Sequence, residues 1–260
     1  MINKYSKQIN EQYSIVVRIV VNNVETQTQS IPNYKQLIRK QIEHSYLHSY
    51  IDQPAIEEDK LKLLHILLAD QENMENSIVS VMLVQIALDT HDTIVKEMEQ
   101  APLQRKQQQL TVLAGDFYSG LYYKRLAEVE NIALTGALAN GISDITEQKM
   151  NLFYNPVESS SRFADKYSEI DFVLIKHIAQ YLNWKDDEDL VYMKNWLFLR
   201  KLEKEHALHK QGKQTFFSQL FNSKIKDLNF EDFIRAEMNK RTKTLLSSKS
   251  IWKQYLPIEK

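Results

Sequence analysis

Apolar residues recur at three- and four-residue steps through most of the 260-residue chain, the spacing of helices that bury one face. Between Tyr34 and Tyr50 the stripe runs through Leu37, Ile38, Ile42, Tyr46 and Leu47, with Pro32 breaking the chain before it and Pro54 closing it. Glu57 to Ala69 repeats the pattern through Leu61, Leu64, His65 and Leu68. Ile78 to Leu88 is apolar nearly all round, which predicts a helix through the centre of a bundle. After Pro102 a Gln-rich turn is expected, then one long helix from Leu110 to about Gly141, carrying Leu110, Leu113, Ala114, Phe117, Leu121, Val129, Ile132 and Ala133. Gly115, Gly120 and Gly136 fall inside it. A helical glycine costs about 1 kcal/mol relative to alanine, so the three predict close approach of another backbone or a large side chain. NPVESSS (155–161) is the clearest loop, and Arg162 to Leu182, Asp189 to Lys210 and Phe230 to Ser247 read as three more helices. Residues 1–29 are β-branched and Asn/Gln-rich, ambiguous between helix and strand and read here as helix. The expectation is an all-α fold of about eight helices, one domain over 1–260, with 155–161 as the only credible boundary or flexible loop.

Composition sharpens this picture. Only 5 Gly and 5 Pro accompany 43% apolar and 26% charged residues, which disfavours disorder and loop-rich β folds. Lys plus Arg (33) nearly balances Asp plus Glu (34), leaving no net field to draw in nucleic acid. The absence of cysteine removes disulfides, thiolate metal sites and cysteine nucleophiles, and suits a cytoplasmic protein. Ser14 to Val21 is interrupted by Arg18 and followed by no small-residue cleavage site, so no signal peptide is expected. No apolar run approaches the roughly 20 residues of a membrane span, so membrane contact would be peripheral at most.

Candidate chemistry gathers where the apolar helix turns polar. Asp89 and Asp92 are three apart and share a face, the geometry with which two carboxylates hold magnesium. Lys96, one turn beyond Asp92, would satisfy that carboxylate and oppose a second cation, so the residues alone read as a polar helix end. The adjacent His91 and Asp92, with His44, His48 and His65 upstream, also fit the pattern of HD-type metal phosphohydrolases. Asp116 lies in a mostly apolar stretch and would need a partner if buried. His177 reads as a half-buried or surface helix residue, His206 and His209 as a solvated three-residue step, and Trp184, Trp196 and Trp252 as core or interface anchors.

The run VQIALDTHD (84–92), followed by LTVLAGDFYSGLYY (110–123), resembles the trans-prenyl diphosphate synthase superfamily, and within it the small-subunit (component 1) family of two-component heptaprenyl diphosphate synthases. The resemblance implies the all-α isoprenyl diphosphate synthase fold. Laid on the catalytic DDxxD motif, His91 matches the preceding histidine and Asp92 the first aspartate. Thr93 stands at the second aspartate and Lys96 at the last, so the magnesium clamp is dismantled. The acidic run Asp186, Asp187, Glu188, Asp189 has Leu190 at the closing position of a second such motif and suits a helix start better. Arg105 and Lys106, in the Gln-rich segment, mark an eroded diphosphate-gripping loop. The resemblance therefore implies a subunit with no catalytic residues and no metal or cofactor of its own. Its partner would be a large catalytic subunit that holds magnesium and extends farnesyl diphosphate with isopentenyl diphosphate. The product would be a C30–C40 chain for menaquinone, with heptaprenyl favoured. Gly115, Tyr118, Gly120 and Tyr122 become candidates for the subunit interface. Ile78, Met82, Ile86 and Leu113 form a stripe, expected to be buried, that would set chain length or simply fill the core, with the growing prenyl chain as a candidate contact. A helical adaptor without enzymatic role is the remaining alternative.

Overall fold

The computed structural model describes residues 30–93, 102–128 and 130–258. The reading of 1–29 as helix, and Lys96, lie outside these residues. Every regular element among the described residues is helical, in two compact units: one built from 1–87 and 101–130, the other from 88–100 and 131–260.

The first unit contains α1 (30–42), α2 (Ser45–His48), α3 (Glu58–Leu67), the greater part of α4 (Met74–Asp92) and α5 (Pro102–Glu128). Pro32 does not break the chain. It lies within the helical residues 30–42. The expected helix over 34–50 is instead divided at 43–44, because the His44 ring accepts the Leu47 N–H at 3.4 Å and starts α2 afresh. In α4 every residue from Ser77 to Ala87 is buried, as the all-round apolar pattern predicts. Its two buried serines are satisfied locally, Ser77 and Ser80 donating to the carbonyls of Asn73 and Asn76. Pro102 opens α5, a favoured position for proline, so the Gln-rich stretch is helical rather than a turn. Gln107 then donates to the Tyr50 carbonyl at 3.0 Å.

The predicted helix over 110–141 is two helices. Glu130 adopts φ 50° and the Asn131 side chain accepts the Leu134 N–H at 3.0 Å, capping α6 (Ile132–Tyr154). Apolar periodicity continues across this break, which is why the pattern alone conceals it.

The second unit holds the end of α4, then α6, α7 (Ser160–Tyr181), α8 (Asp187–Lys210), α9 (Phe216–Lys224), α10 (Phe230–Ser247) and a 3-10 turn at Ile251–Gln254. The 155–161 segment is a loop that ends where Ser159 caps α7. Nine-residue α9, absent from the periodicity reading, is set by a capping box between Thr215 and Ser218, a device that fixes a short helix start. Its Phe217 and Phe221 meet Phe163 and Phe233 with ring centroids 4.4 to 6.2 Å apart. Each such ring contributes about 1.5–3 kcal/mol by burial. Beside them Arg241, 5% exposed, binds Glu237, Asn195 and Asp165 and lies over Phe198.

The glycine expectation is corrected at Gly120 and Gly136. A Cβ on Gly120 or Gly136 would meet nothing within 4 Å, whereas one on Gly141 would meet Leu174 at 3.0 Å and His177 at 3.4 Å. Of these three, only Gly141 has a close neighbour.

Candidate functional site

The polar end of α4 reaches into a cluster built by α6, α7 and α8. Asp92 Oδ2 accepts from Lys149 Nζ at 2.6 Å, with the two side chains only 23% and 25% exposed. Thr93, at the position of the resembled motif's second aspartate, turns its hydroxyl back to the Thr90 carbonyl at 2.7 Å. Asp92, Asp171 of α7 and Lys201 and Glu205 of α8 all lie within electrostatic range of Tyr167 on α7. Burial pushes the Tyr167 hydroxyl well above the ordinary phenol range; Lys201 opposes this, while Asp171, Asp92 and Glu205 add to it. Glu205 lies 3.6 Å from Lys201 and accepts from the Thr215 hydroxyl. The Asp92 and Glu205 carboxylates thus each have an ammonium group beside them, Lys149 at 2.6 Å and Lys201 at 3.6 Å.

The second acidic run is engaged in helix building. Asp186 accepts the Asp189 N–H at 3.1 Å and caps α8. Glu188 accepts from the Ser248 hydroxyl and the Lys249 N–H. Asp189 is buried and accepts from the Ser250 hydroxyl at 2.6 Å, with burial pushing its carboxyl above the usual range. Among the described residues no three His, Cys, Asp or Glu side chains are grouped so as to hold a metal ion.

The histidines upstream are each engaged in the first unit. His44 caps α2, His48 Nδ1 lies 3.3 Å from Gln53 Nε2, and His65 Nδ1 lies 3.2 Å from the Tyr34 hydroxyl. In the second unit His177 is half-buried, with Nε2 2.8 Å from Asp144. His206 and His209 are partly exposed and each has a neighbour: His206 lies 3.7 Å from Glu231, and His209 meets the Phe230 ring edge-on. Trp196 and Trp252 are core residues.

On α5 the structure separates residues that the sequence ran together. Leu110, Ala114, Tyr118, Tyr122 and Leu126 recur every four residues and are buried, as is Gly115. Burial pushes the Tyr118 and Tyr122 hydroxyls above their ordinary range. The outward line is Leu113 (59% exposed), Asp116, Gly120, Tyr123 (52%) and Ala127. Of the four interface candidates, Gly120 is at the surface while Gly115, Tyr118 and Tyr122 lie beneath it. Leu113 does not join the buried stripe of Ile78, Met82 and Ile86, because Ala114, one residue and about 100° of helical turn away, takes the inward position. Arg105 and Lys106 are helical rather than in a loop, and Lys106 lies over the Tyr50 ring, 3.8 Å from its centroid.

A second surface went unpredicted because α5 and α6 read as one helix. On α6 the exposed positions Ile132, Gly136, Ala139, Ser143, Thr146, Met150 and Phe153 alternate four- and three-residue steps without one charge. Small side chains occupy the middle of this seam, with Ile132 (84% exposed), Met150 (52%) and Phe153 (42%) toward the ends. Reading the Asn131 cap first would have revealed it. Among the described residues no helix is long and apolar enough to cross a membrane.

Residues 44–252 match the family described as heptaprenyl diphosphate synthase (HEPPP synthase) subunit 1. Heptaprenyl diphosphate synthase component 1 of Geobacillus stearothermophilus is 34% identical over 147 residues, a stretch that covers 56% of this chain and 64% of that protein. The crystal structure of octaprenyl pyrophosphate synthase from Helicobacter pylori aligns over 89% of this chain and 92% of its own, at 14% identity and a TM-score of 0.47. With the family match spanning most of its length, this chain belongs to the heptaprenyl diphosphate synthase subunit 1 family.

Proposed function

We propose that the chain is the non-catalytic small subunit of a two-component, long-chain trans-prenyl diphosphate synthase. It acts with a separate large subunit that holds magnesium and extends farnesyl diphosphate with isopentenyl diphosphate, giving a C30–C40 chain, heptaprenyl in the favoured case, for menaquinone. One observation carries the non-catalytic part: the Asp92 carboxylate is ion-paired with Lys149, while Thr93 replaces a carboxylate altogether. Ionising an allylic diphosphate requires metal ions to neutralise the departing pyrophosphate. This chain offers no set of free carboxylates to hold them at the position where the resembled motif would.

The role of partner is supported by the uncharged outward line of α6 and by the largely apolar outward line of α5, on which Asp116 is the one charge. Gly120 and Tyr123 on one, and Ile132, Gly136 and Met150 on the other, expose apolar or small side chains of the kind that become the dry centre of an interface. Gly115, Tyr118 and Tyr122 support the α5 face from beneath. Ile78, Met82 and Ile86 act first as core, so any effect of this chain on product length runs through how it shapes the partner's cavity.

The test is prenyl chain extension with magnesium, using this chain alone, the large subunit alone and the two mixed. Product from the mixture only is the expected outcome, and its length identifies the prenyl chain. Product from this chain alone would remove the non-catalytic assignment; a mixture no better than the large subunit would remove the accessory role.

A further inference from the structure

We propose that Lys149 is a built-in counter-cation for Asp92, and that the pair joins the end of α4 to α6 in a manner that excludes divalent metal from this carboxylate. The inference rests on the small-subunit reading and extends it, from a motif that lacks ligands to a motif whose remaining ligand has a new, permanent partner. Three observations support it. Lys149 Nζ stands 2.6 Å from Asp92 Oδ2, in a pair about three-quarters buried. A magnesium ion held by the same carboxylate would sit about 2.0–2.1 Å from its oxygen, so the ammonium and the ion would be near neighbours of like sign. At such separations and with little screening, repulsion lowers divalent affinity by at least about a hundredfold. Finally, the neighbouring Lys201–Glu205 pair, 3.6 Å apart, is compensated within itself, and both its members and Asp92 lie within electrostatic range of Tyr167.

Lys149 is therefore a positioning residue: it holds Asp92, and through it the last turn of α4, without touching substrate. An ion pair of this kind is exchangeable, whereas a metal ligand is not. The experiment compares Asp92→Asn, Lys149→Met, the double substitution and the exchanged pair D92K/K149D in the full-length chain. Each is followed by urea unfolding, with chelator and with millimolar manganese, and by the paramagnetic resonance signal of bound manganese.

Each single substitution should raise the unfolding equilibrium constant about tenfold. The double should raise it three- to tenfold less than the product of the singles, as coupled charges do. The exchanged pair should recover part of the loss, and manganese should move no midpoint. Additive single effects would overturn the proposal. So would Asp92-dependent manganese binding by the unsubstituted chain, or rescue of Lys149→Met by manganese. If the singles fold too poorly for a midpoint, the double and the exchanged pair decide: a chain that refolds with either supports the pair, and one that refolds with neither refutes it. These outcomes are independent of whether mixing the unsubstituted subunits yields product, so failure of the ion pair and failure of the subunit reading are told apart.

Discussion

Arg241 is the strongest single test of how the second unit is held together. Its guanidinium lies 3.1 Å from Glu237, 2.9 Å from Asn195 and 2.7 Å from Asp165, tying α10 to itself, to α8 and to α7. Replacing it with methionine keeps an apolar stem against Phe198 but strands the Glu237 carboxylate, which is 6% exposed. Removing one partner of a buried pair costs about 3–5 kcal/mol. Lys240, 3.4 Å from Glu237 and 45% exposed, remains as a partial replacement, which places Arg241→Met near the lower end, about 3 kcal/mol. All three tryptophans, 184, 196 and 252, fall in the second unit, so their fluorescence reports the unfolding of that unit. With a urea slope of about 2 kcal/mol per molar, the midpoint should fall by about 1.5 M. The double substitution E237Q/R241M should recover at least half of that loss, because no charge is then left unpaired. A fall of less than about 0.3 M, or a double substitution no more stable than the single, would show that this network does not hold the unit.

The remaining predictions concern glycines and acid stability. Gly141→Ala should destabilise by about 1 kcal/mol because its Cβ would press on buried Leu174. Gly136→Ala, with open space, should stabilise the isolated chain by up to about 1 kcal/mol, and thermal melts of the pair measure the difference. His65 is buried and its pKa is depressed below 6.5, so the unfolded chain binds protons that the folded chain refuses. Stability should be full above pH 6.5 and fall as pH drops below it; circular dichroism of His65→Phe should show a flatter profile. Hydrogen bonding to Lys35, then Lys62, lowers the Glu58 carboxyl to about 2, so its contribution is present above about pH 4.5 and lost toward pH 2. Glu58 is 44% exposed, which limits Glu58→Gln to a loss of about 1 kcal/mol or less at pH 7, with no difference expected near pH 2.

The sequence by itself determined that the chain is helical, which helix is most deeply buried, and which family it resembles. Those properties are local or nearly so. Periodicity records which side chains avoid water, the run from Ser77 to Ala87 leaves no face for solvent, and LTVLAGDFYSGLYY is legible without coordinates. Thr93 and Lys96 likewise stand in the chain where a clamp would need carboxylates. Helix ends were less legible. A cap such as Asn131 or His44 interrupts the hydrogen-bond ladder without interrupting the apolar stripe, so one predicted helix became two in both places.

Only the tertiary structure decided which side of α5 faces outward. Tyr118, Tyr122 and Tyr123 are alike in composition, and a turn of about 100° per residue places the first two in the core and the third at the surface. Tertiary structure also supplied the partner of Asp92. Lys149 is 57 residues away, and no local pattern links the two. A pairing of that separation is set by how α6 lies against the end of α4. The counter-charge that Asp92 receives is therefore a product of packing.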